Sequence, residues 1–226
     1  MLDENANDRC VNWIIWPFVI VNEPHRRAAH PIRFREGDLL SIGPVHAGTD
    51  FFTAEVLTLR GLATYYVLFF IHLESRRVDI TVQPDEPWMK QIARNVIMEG
   101  CGVLRNCCYL LHDRDTKYTQ SFRAIIASAQ VEPLTLPARS PNLNAFAERW
   151  VRAVKEECLS KVILLGECSL RRALNEYVEH FHAEQNHQGK GNVLLFPRGT
   201  HVRREGPVQC RERLGGLLRY YHQAAA

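Results

Sequence analysis

Two apolar stretches decide the fold of this chain: GTDFFTAEVL at residues 48–57 and LATYYVLFFIH at residues 62–72. Both are rich in aromatic and β-branched residues, and the centre of the second is continuously apolar, as in a buried strand. Arg60-Gly61 between them is a turn signal. A third run, RVDITV at residues 77–82, is closed by Pro84. The three successive runs predict an antiparallel meander of three strands.

Beyond the meander, helical and strand patterns alternate. Pro87 stands where a helix is expected to begin, and apolar residues follow it at helical spacing. Residues 109–112 and 131–136 are predicted to be strands, and residues 120–129 between them a helix.

Two more amphipathic helices are predicted toward the C-terminal end. One begins at Ser140-Pro141, with a serine cap and a proline at the first helical position, and the other covers residues 169–182. The resulting order, β-β-β-α-β-α-β-α-α, is typical of a ribonuclease H-like α/β domain with a mixed five-stranded sheet flanked by helices. In that topology the first and fourth strands are neighbours, an expectation by analogy of fold.

Composition is that of an ordinary globular protein: 226 residues, 46% hydrophobic, 23% charged and a net charge of only +3. The basic residues are unevenly placed. Residues 137–172 hold seven Lys/Arg against four Glu, and residues 198–219 hold six Arg against two Glu. Such regions suit a phosphate backbone, and a solvated protein surface explains them equally well.

The cysteines and the apolar runs indicate where in the cell this protein is expected. The seven cysteines are odd in number and include no Cys-x-x-Cys pair, so they indicate reduced thiols in a cytoplasm. The longest apolar stretch, residues 65–71, is too short to span a bilayer. Acidic residues before the apolar segment at 13–21 argue against a secretory signal. We therefore expect a cytoplasmic protein without a membrane partner.

The chain divides into three parts by pattern. Residues 1–46 are poorly defined and show no helix-turn-helix, residues 47–190 carry the patterned core, and residues 191–226 form a basic tail.

Three acids stand out within the core. Asp50 lies in the first strand, Asp113 ends the fourth, and Glu148 lies in a helical pattern 34 residues beyond Asp113. Two carboxylates on strands and one on a later helix suit a pair of divalent ions roughly 3.5–4 Å apart, an arrangement that promotes phosphoryl transfer.

Three motifs carry a family resemblance. They are TDFF at 49–52, HDRDTKY at 112–118 and SPNLNAFAER at 140–149. With them, the chain from Thr49 to about Gly191 resembles the catalytic core of DDE transposases and retroviral-type integrases, above all bacterial insertion-sequence transposases with an integrase core.

The resemblance implies a function and a set of site residues. It makes Asp50, Asp113 and Glu148 the catalytic and metal-binding carboxylates, with Mg²⁺ or Mn²⁺, two ions in all, as cofactor. It implies hydrolysis at transposon ends followed by joining of the 3′-hydroxyl to target DNA. The expected partners are double-stranded DNA and further copies of the chain on that DNA, at a bacterial nucleoid.

Two of the three acids have a rival nearby. Asp115 ends the same strand as Asp113, but the family pattern places Asp113 at the catalytic position. Glu156 and Glu157 follow Glu148 by two turns or more, and the match to the third motif selects Glu148.

Four polar residues are predicted to contact DNA. Arg152 and Lys155 lie four and seven residues after Glu148 and share its helical face, and Asn144 lies one turn before it. Lys117 follows the second acid. A surface ion pair between Glu148 and Arg152, or a merely solvated lysine, remains an alternative.

Two other functions remain open from the sequence. One is an inactive, truncated relic that only binds DNA, and the other is a ribonuclease H-like nuclease without strand transfer.

Overall fold

A computed structural model describes residues 46–82, 85–137, 144–197 and 207–223 of this protein. Its main sheet has the order β3-β2-β1-β4-β5. Only two residues join β1 to β2, so these strands run antiparallel, whereas the β1–β4 and β4–β5 pairs are parallel. The strands are β1 (His46–Thr58), β2 (Gly61–His72), β3 (Val78–Val82), β4 (Tyr109–His112) and β5 (Glu132–Thr135). The predicted ribonuclease H-like sheet is confirmed, including the adjacency of its first and fourth strands.

The α-helices of the described residues are α1 (Glu86–Val96), α2 (Gln120–Ser128), α3 (Ala145–Glu157) and α4 (Gly166–Ala183). Side-chain caps begin the first two, because Asp85 Oδ1 accepts from the Trp88 N–H at 2.7 Å and Thr119 Oγ1 from the Phe122 N–H at 3.2 Å. Pro87 lies in the first turn of α1, as predicted. The predicted helix start at Ser140-Pro141 lies outside the described residues.

The described chain divides into two compact units. The first comprises the described residues up to Phe52, Tyr66–Glu74 and Asp79–Glu148. Its core joins side chains of the sheet to those of α1 and α2, including Leu68, Phe70, Met89, Ile92, Leu110, Phe122 and Ile126. All three predicted catalytic acids belong to this unit.

The second unit comprises Thr53–Tyr65, Ser75–Val78 and the described residues from Arg149 onward. It contains most of α3, all of α4 and two small antiparallel pairs of strands. Those strands are β6 (Asn186–His187), β7 (Val193–Leu194), β8 (Val208–Arg213) and β9 (Leu218–Gln223). The basic residues of the tail therefore lie partly on a regular hairpin, β8–β9, which the sequence did not predict.

A buried ion-pair network holds this hairpin on α4. The Glu184 side chain is 1% exposed, and Arg213 Nη2 lies 2.7 Å from its Oε1. Arg213 Nη1 also lies 2.9 Å from Glu176 Oε2. Burial alone would raise the pKa of Glu184, but hydrogen bonds from Arg213, His180 and Arg211 lower it to about 2.

None of the helices in the described parts of the chain combines the length and the apolarity that a membrane crossing needs.

Candidate functional site

The first two acids lie at equivalent positions of neighbouring parallel strands. Gly48 of β1 pairs with Leu111 of β4, and Asp50 and Asp113 each follow that pair by two residues. Because both strands run in the same direction, the two acids stand at the same level along neighbouring strands, Asp50 within β1 and Asp113 just after the end of β4. The parallel register is thus what brings these acids together.

Asp50 is partly buried, and its pKa is raised to about 6. Burial is the main cause, and the charges of Asp113, Glu148 and Asp115 add to it. The Phe51 N–H donates to Asp50 Oδ1 at 2.7 Å and acts in the opposite direction. The repulsion means that the predicted acids lie within electrostatic reach of one another.

Asp113 and Asp115 have different partners. Asp113 Oδ1 accepts from the Asp115 N–H at 3.0 Å, and burial raises the pKa of Asp113. Asp115 Oδ2 lies 3.0 Å from Lys117 Nζ, and its Oδ1 accepts from the Lys117 N–H at 2.8 Å. Asp115 is therefore neutralised by Lys117, which leaves Asp113 the better candidate for a cation ligand.

Lys117 is held on two sides. Besides its ion pair with Asp115, its Nζ lies 4.6 Å from the centre of the Tyr66 ring and 5.2 Å from that of Phe51. Both distances suit cation–π attraction. To contact a phosphate, Lys117 would have to share or exchange these partners.

Glu148 lies in the first turn of α3 and is exposed. Arg152 and Lys155 follow on the same helix and are exposed as well. Within the described residues no ion pair joins Glu148 to Arg152. The surface ion pair between Glu148 and Arg152, which the sequence left open as an alternative, is therefore not formed.

Asn144, one turn before Glu148, is only 6% exposed. Its Oδ1 is buried without a hydrogen-bond partner and lies against Gly48. Asn144 is the one predicted DNA contact that the fold places inside the protein; its role in DNA binding stays a prediction.

Two residues that contact the segments carrying the acids, His112 and Tyr118, were not predicted as site residues, although both lie in the second motif. A carbonyl can only accept, so His112 Nδ1–H donates to the Asp113 carbonyl oxygen at 2.6 Å, and Nε2 accepts from Thr135 Oγ1 at 3.3 Å. Burial lowers the pKa of His112 to about 4, which keeps the ring neutral. His112 thereby fixes the backbone at Asp113.

Tyr118 is fully buried beside His112 and anchors β1. Thr49 Oγ1 donates to the Phe69 carbonyl oxygen at 2.7 Å, so the Tyr118 hydroxyl, 3.3 Å away, donates to Thr49. Its ring packs 4.7 Å from that of His112 and 5.2 Å from that of Phe51. The part of β1 that carries Asp50 and the end of β4 next to Asp113 therefore pack on the same aromatic rings.

The site fits a divalent cation in ligand chemistry but is not a closed cage. Carboxylate oxygens are the ligands that Mg²⁺ prefers, and the mutual repulsion that contributes to the raised pKa of Asp50 is what a cation would offset. Among the described residues, however, no group of three or more His, Cys, Asp or Glu side chains is gathered closely enough to hold an ion. Binding would therefore require the carboxylates to draw closer together.

No protein-family model and no curated protein matches this chain. Solved structures do. The HTLV-2 integrase catalytic core domain, in complex with magnesium and in dimeric form, is 12% identical, with 64% of this chain and 90% of that chain covered and a TM-score of 0.43. A chain of the simian T-cell lymphotropic virus intasome in complex with PP2A regulatory subunit B56 gamma is 13% identical, with 86% and 70% covered and a TM-score of 0.48. The catalytic core domain of BIV integrase is 14% identical, with 64% and 87% covered and a TM-score of 0.42.

These likenesses concern the fold. The class of fold itself rests on the strand order and on the parallel β1–β4 and β4–β5 pairs, which define a ribonuclease H-like domain.

Proposed function

We propose that this protein is a metal-dependent polynucleotidyl transferase of the DDE type, which cuts the ends of a mobile DNA element and joins the 3′-hydroxyl to target DNA. The carrying observation is that the parallel β1–β4 register sets Asp50 beside Asp113, and that the charges of both Asp113 and Glu148 act on the Asp50 carboxyl and help to raise its pKa. Excess negative charge of this kind suits a divalent cation. The resemblance of the sequence motifs to DDE transposases and integrases falls on the same three acids.

Asp50, Asp113 and Glu148 would hold Mg²⁺ or Mn²⁺, two ions in the proposed arrangement. When bound, the ions supply an activated water or 3′-hydroxyl and stabilise the leaving 3′-oxygen. The chain positions these ligands: the Phe51 N–H orients the Asp50 carboxylate, and His112 holds the carbonyl of Asp113.

Three cations are proposed to bind the phosphates of DNA. Arg152 and Lys155 are exposed on the helix that carries Glu148, and we assign them to phosphate contacts. Lys117 would join them by exchanging Asp115 for a phosphate oxygen. Asn144 is buried, so its contribution would be to hold the helix.

The proposal includes double-stranded DNA as partner, assembly of several copies on that DNA, and a location at a bacterial nucleoid in the cytoplasm. An inactive relic that only binds DNA is the second candidate, because the described carboxylates form no closed cage. A nuclease that hydrolyses without strand transfer is the third.

One assay separates the three. The full chain is incubated with a supercoiled plasmid and a labelled blunt-ended duplex that carries the DNA flanking its gene, in Mg²⁺ or Mn²⁺. Label joined to plasmid supports the transferase, nicking without joining indicates a nuclease, and duplex binding without either indicates a relic.

Matched variants assign the activity to the site. Asp50→Asn and Glu148→Gln should abolish joining, whereas Glu156→Gln, on the same helix and exposed, should leave it unchanged. Equal loss in all three variants would contradict the assignment of Glu148.

A further inference from the structure

A platform of two aromatic rings and one cation, made of Phe51, Tyr66 and Lys117, lies in the first unit. The Lys117 Nζ atom lies 4.6 Å from the centre of the Tyr66 ring and 5.2 Å from that of Phe51. It also lies 3.2 Å and 3.0 Å from the two carboxylate oxygens of Asp115. The ammonium group is therefore held by two rings and one carboxylate.

The platform is open to solvent. Tyr66 is 39% exposed, although the residues that follow it in β2, from Val67 to Ile71, are buried. The Lys117 side chain is 28% exposed. A single exposed aromatic residue is ordinary in a folded protein, but this ring carries a cation on its face and both groups reach the solvent. A ligand can therefore contact the ring and the ammonium group together.

The platform adjoins two of the predicted catalytic acids. Phe51 directly follows Asp50 in β1, and its N–H donates to the Asp50 carboxylate. Lys117 follows Asp113 by four residues, and its charge acts on the Asp113 carboxyl. A DNA strand with a phosphate at these acids would therefore bring a neighbouring nucleotide to the platform.

A nucleotide offers a partner to each part of the platform. Its base can stack on an aromatic ring, and its phosphate can pair with an ammonium group. Within a duplex the neighbouring bases cover both faces of a base, so only an unpaired base is available to Tyr66. Base stacking on an aromatic side chain is stronger than cation–π attraction at an exposed site. A base can therefore displace the ammonium group from the ring and leave Lys117 free to bind a phosphate.

We infer that Tyr66 stacks on an unpaired nucleobase of the bound DNA, and that this base displaces Lys117 from the ring toward a phosphate. The inference rests on the proposed function in one respect, because it takes DNA as the ligand. It adds a DNA-binding residue that lies outside the three sequence motifs and that has no part in metal binding.

The test is the affinity of the full chain for DNA, measured by fluorescence anisotropy in EDTA so that no metal ion takes part. Two duplexes are compared that share a short single-stranded 3′ overhang, which carries bases in one duplex and is abasic in the other. The wild type should bind the abasic duplex about fivefold more weakly or more, the loss expected for one stacked base. Tyr66→Leu should bring this ratio close to one, and Tyr66→Phe should keep it because the ring is retained.

Two further variants separate stacking from other effects. Tyr221→Leu is the matched control, because Tyr221 is also an exposed tyrosine on a strand, β9 of the second unit, and the variant should keep the wild-type ratio. Lys117→Met should weaken binding of both duplexes alike, since both overhangs carry phosphates. If Tyr66 served only to hold Lys117 in place, Tyr66→Leu would give this same pattern, with weaker binding and an unchanged ratio.

A measurement on the wild type covers the case in which Tyr66→Leu does not fold. An iodouracil base in the overhang should form a photo-crosslink to Tyr66, which mass spectrometry of the digested complex would locate. Crosslinks to other residues alone would overturn the inference.

Failure of the inference and failure of the proposed function give different results. Wild-type protein that binds neither duplex would overturn both. Equal wild-type affinity for the two duplexes, or a ratio that Tyr66→Leu leaves unchanged, would overturn the inference and leave the proposed function standing. Base-dependent binding that Tyr66→Leu removes, in a protein that joins no DNA, would support the inference and overturn the transferase.

Discussion

Lys117 is bound to Asp115 and not to Asp113: its Nζ lies 3.0 Å from Asp115 Oδ2 and its backbone N–H donates to Asp115 Oδ1. The same loop turns the Asp115 N–H toward Asp113 Oδ1. Asp115 is thus paired with the Lys117 cation. Asp113 is held in place by a backbone hydrogen bond, and its remaining lone pairs are available to a ligand.

This difference predicts opposite behaviour of two neighbouring variants. Asp113→Asn should lower metal-dependent strand transfer at least about 100-fold, because losing a ligand costs no less than losing a group that orients one. Asp115→Asn should keep activity within about tenfold, because it removes only the partner of Lys117. Single-turnover rates of both variants check this, and an equal loss in the two would assign the metal to Asp115 as well.

The raised pKa of Asp50 predicts a pH-dependent metal site. Asp50 must lose its proton to bind a cation, so Mn²⁺ affinity should fall about tenfold per pH unit below pH 6. In the metal-free protein, by contrast, the protonation of Asp50 at lower pH increases the free energy of unfolding. The folded state takes up a proton between pH 6 and 3.8 that the unfolded state does not, so protonation of Asp50 stabilises the fold as the pH falls.

Asp50→Asn imitates the protonated form. It should raise the free energy of unfolding of the metal-free protein at pH 7 by roughly 2 kcal/mol and abolish Mn²⁺ binding. Urea unfolding with and without Mn²⁺ measures both effects. A variant less stable than the wild type without metal would contradict the assigned repulsion.

Arg152 should contribute to DNA binding through a phosphate. Its replacement by alanine should weaken binding to any duplex sequence and reduce the slope of log affinity against log salt by about 0.9. Fluorescence anisotropy between low and moderate salt gives the slope. Arg94→Ala, an exposed arginine on α1, is the control and should keep the wild-type slope.

The β8–β9 hairpin should depend on Arg213. Arg213→Ala leaves Glu184 buried with fewer partners and should lower the free energy of unfolding by about 3 kcal/mol. Arg219→Ala on the same hairpin breaks an exposed pair with Glu212 and should lower it by less than about 1 kcal/mol. Hydrogen exchange of the hairpin amides in both variants would show whether the hairpin detaches. Equal protection in the two would contradict the role of Arg213.

His182 predicts acid sensitivity in the second unit. Its Nε2 accepts from the Val78 N–H at 2.8 Å, and burial lowers its pKa to about 4, with Arg77 and His187 acting in the same direction. Between pH 6.5 and 4 the unfolded state binds a proton that the folded state does not, so this residue contributes a loss of stability as the pH falls, roughly 3 kcal/mol in all.

His182→Gln isolates that contribution. The glutamine oxygen can accept the same hydrogen bond and does not titrate, so stability should fall less steeply across this window than in the wild type. The comparison is needed because Asp50 contributes with the opposite sign in an overlapping range. Parallel pH curves for the two proteins would show that His182 is not the titrating group.

Much of the fold was predictable because it is encoded locally. Strand β4 was predicted at residues 109–112 and lies at Tyr109–His112, since a short apolar run ends there at charged residues. Helix α2 was predicted from residue 120 and begins at Gln120, where Thr119 provides the cap. The β8–β9 hairpin was not predicted, because its stability comes from Glu184 and Glu176, many residues earlier in the chain.

By itself, the sequence determined the order of strands and helices and marked Asp50, Asp113 and Glu148 as candidates, because periodicity, caps and motifs are properties of neighbouring residues. Only the tertiary structure decided which groups those acids meet. The parallel β1–β4 register puts Asp50 and Asp113 at the same level on neighbouring strands. Packing then neutralises Asp115 with Lys117 and buries Asn144 against Gly48. These outcomes depend on contacts between distant segments, whose geometry is set when the core is packed and not by any local pattern.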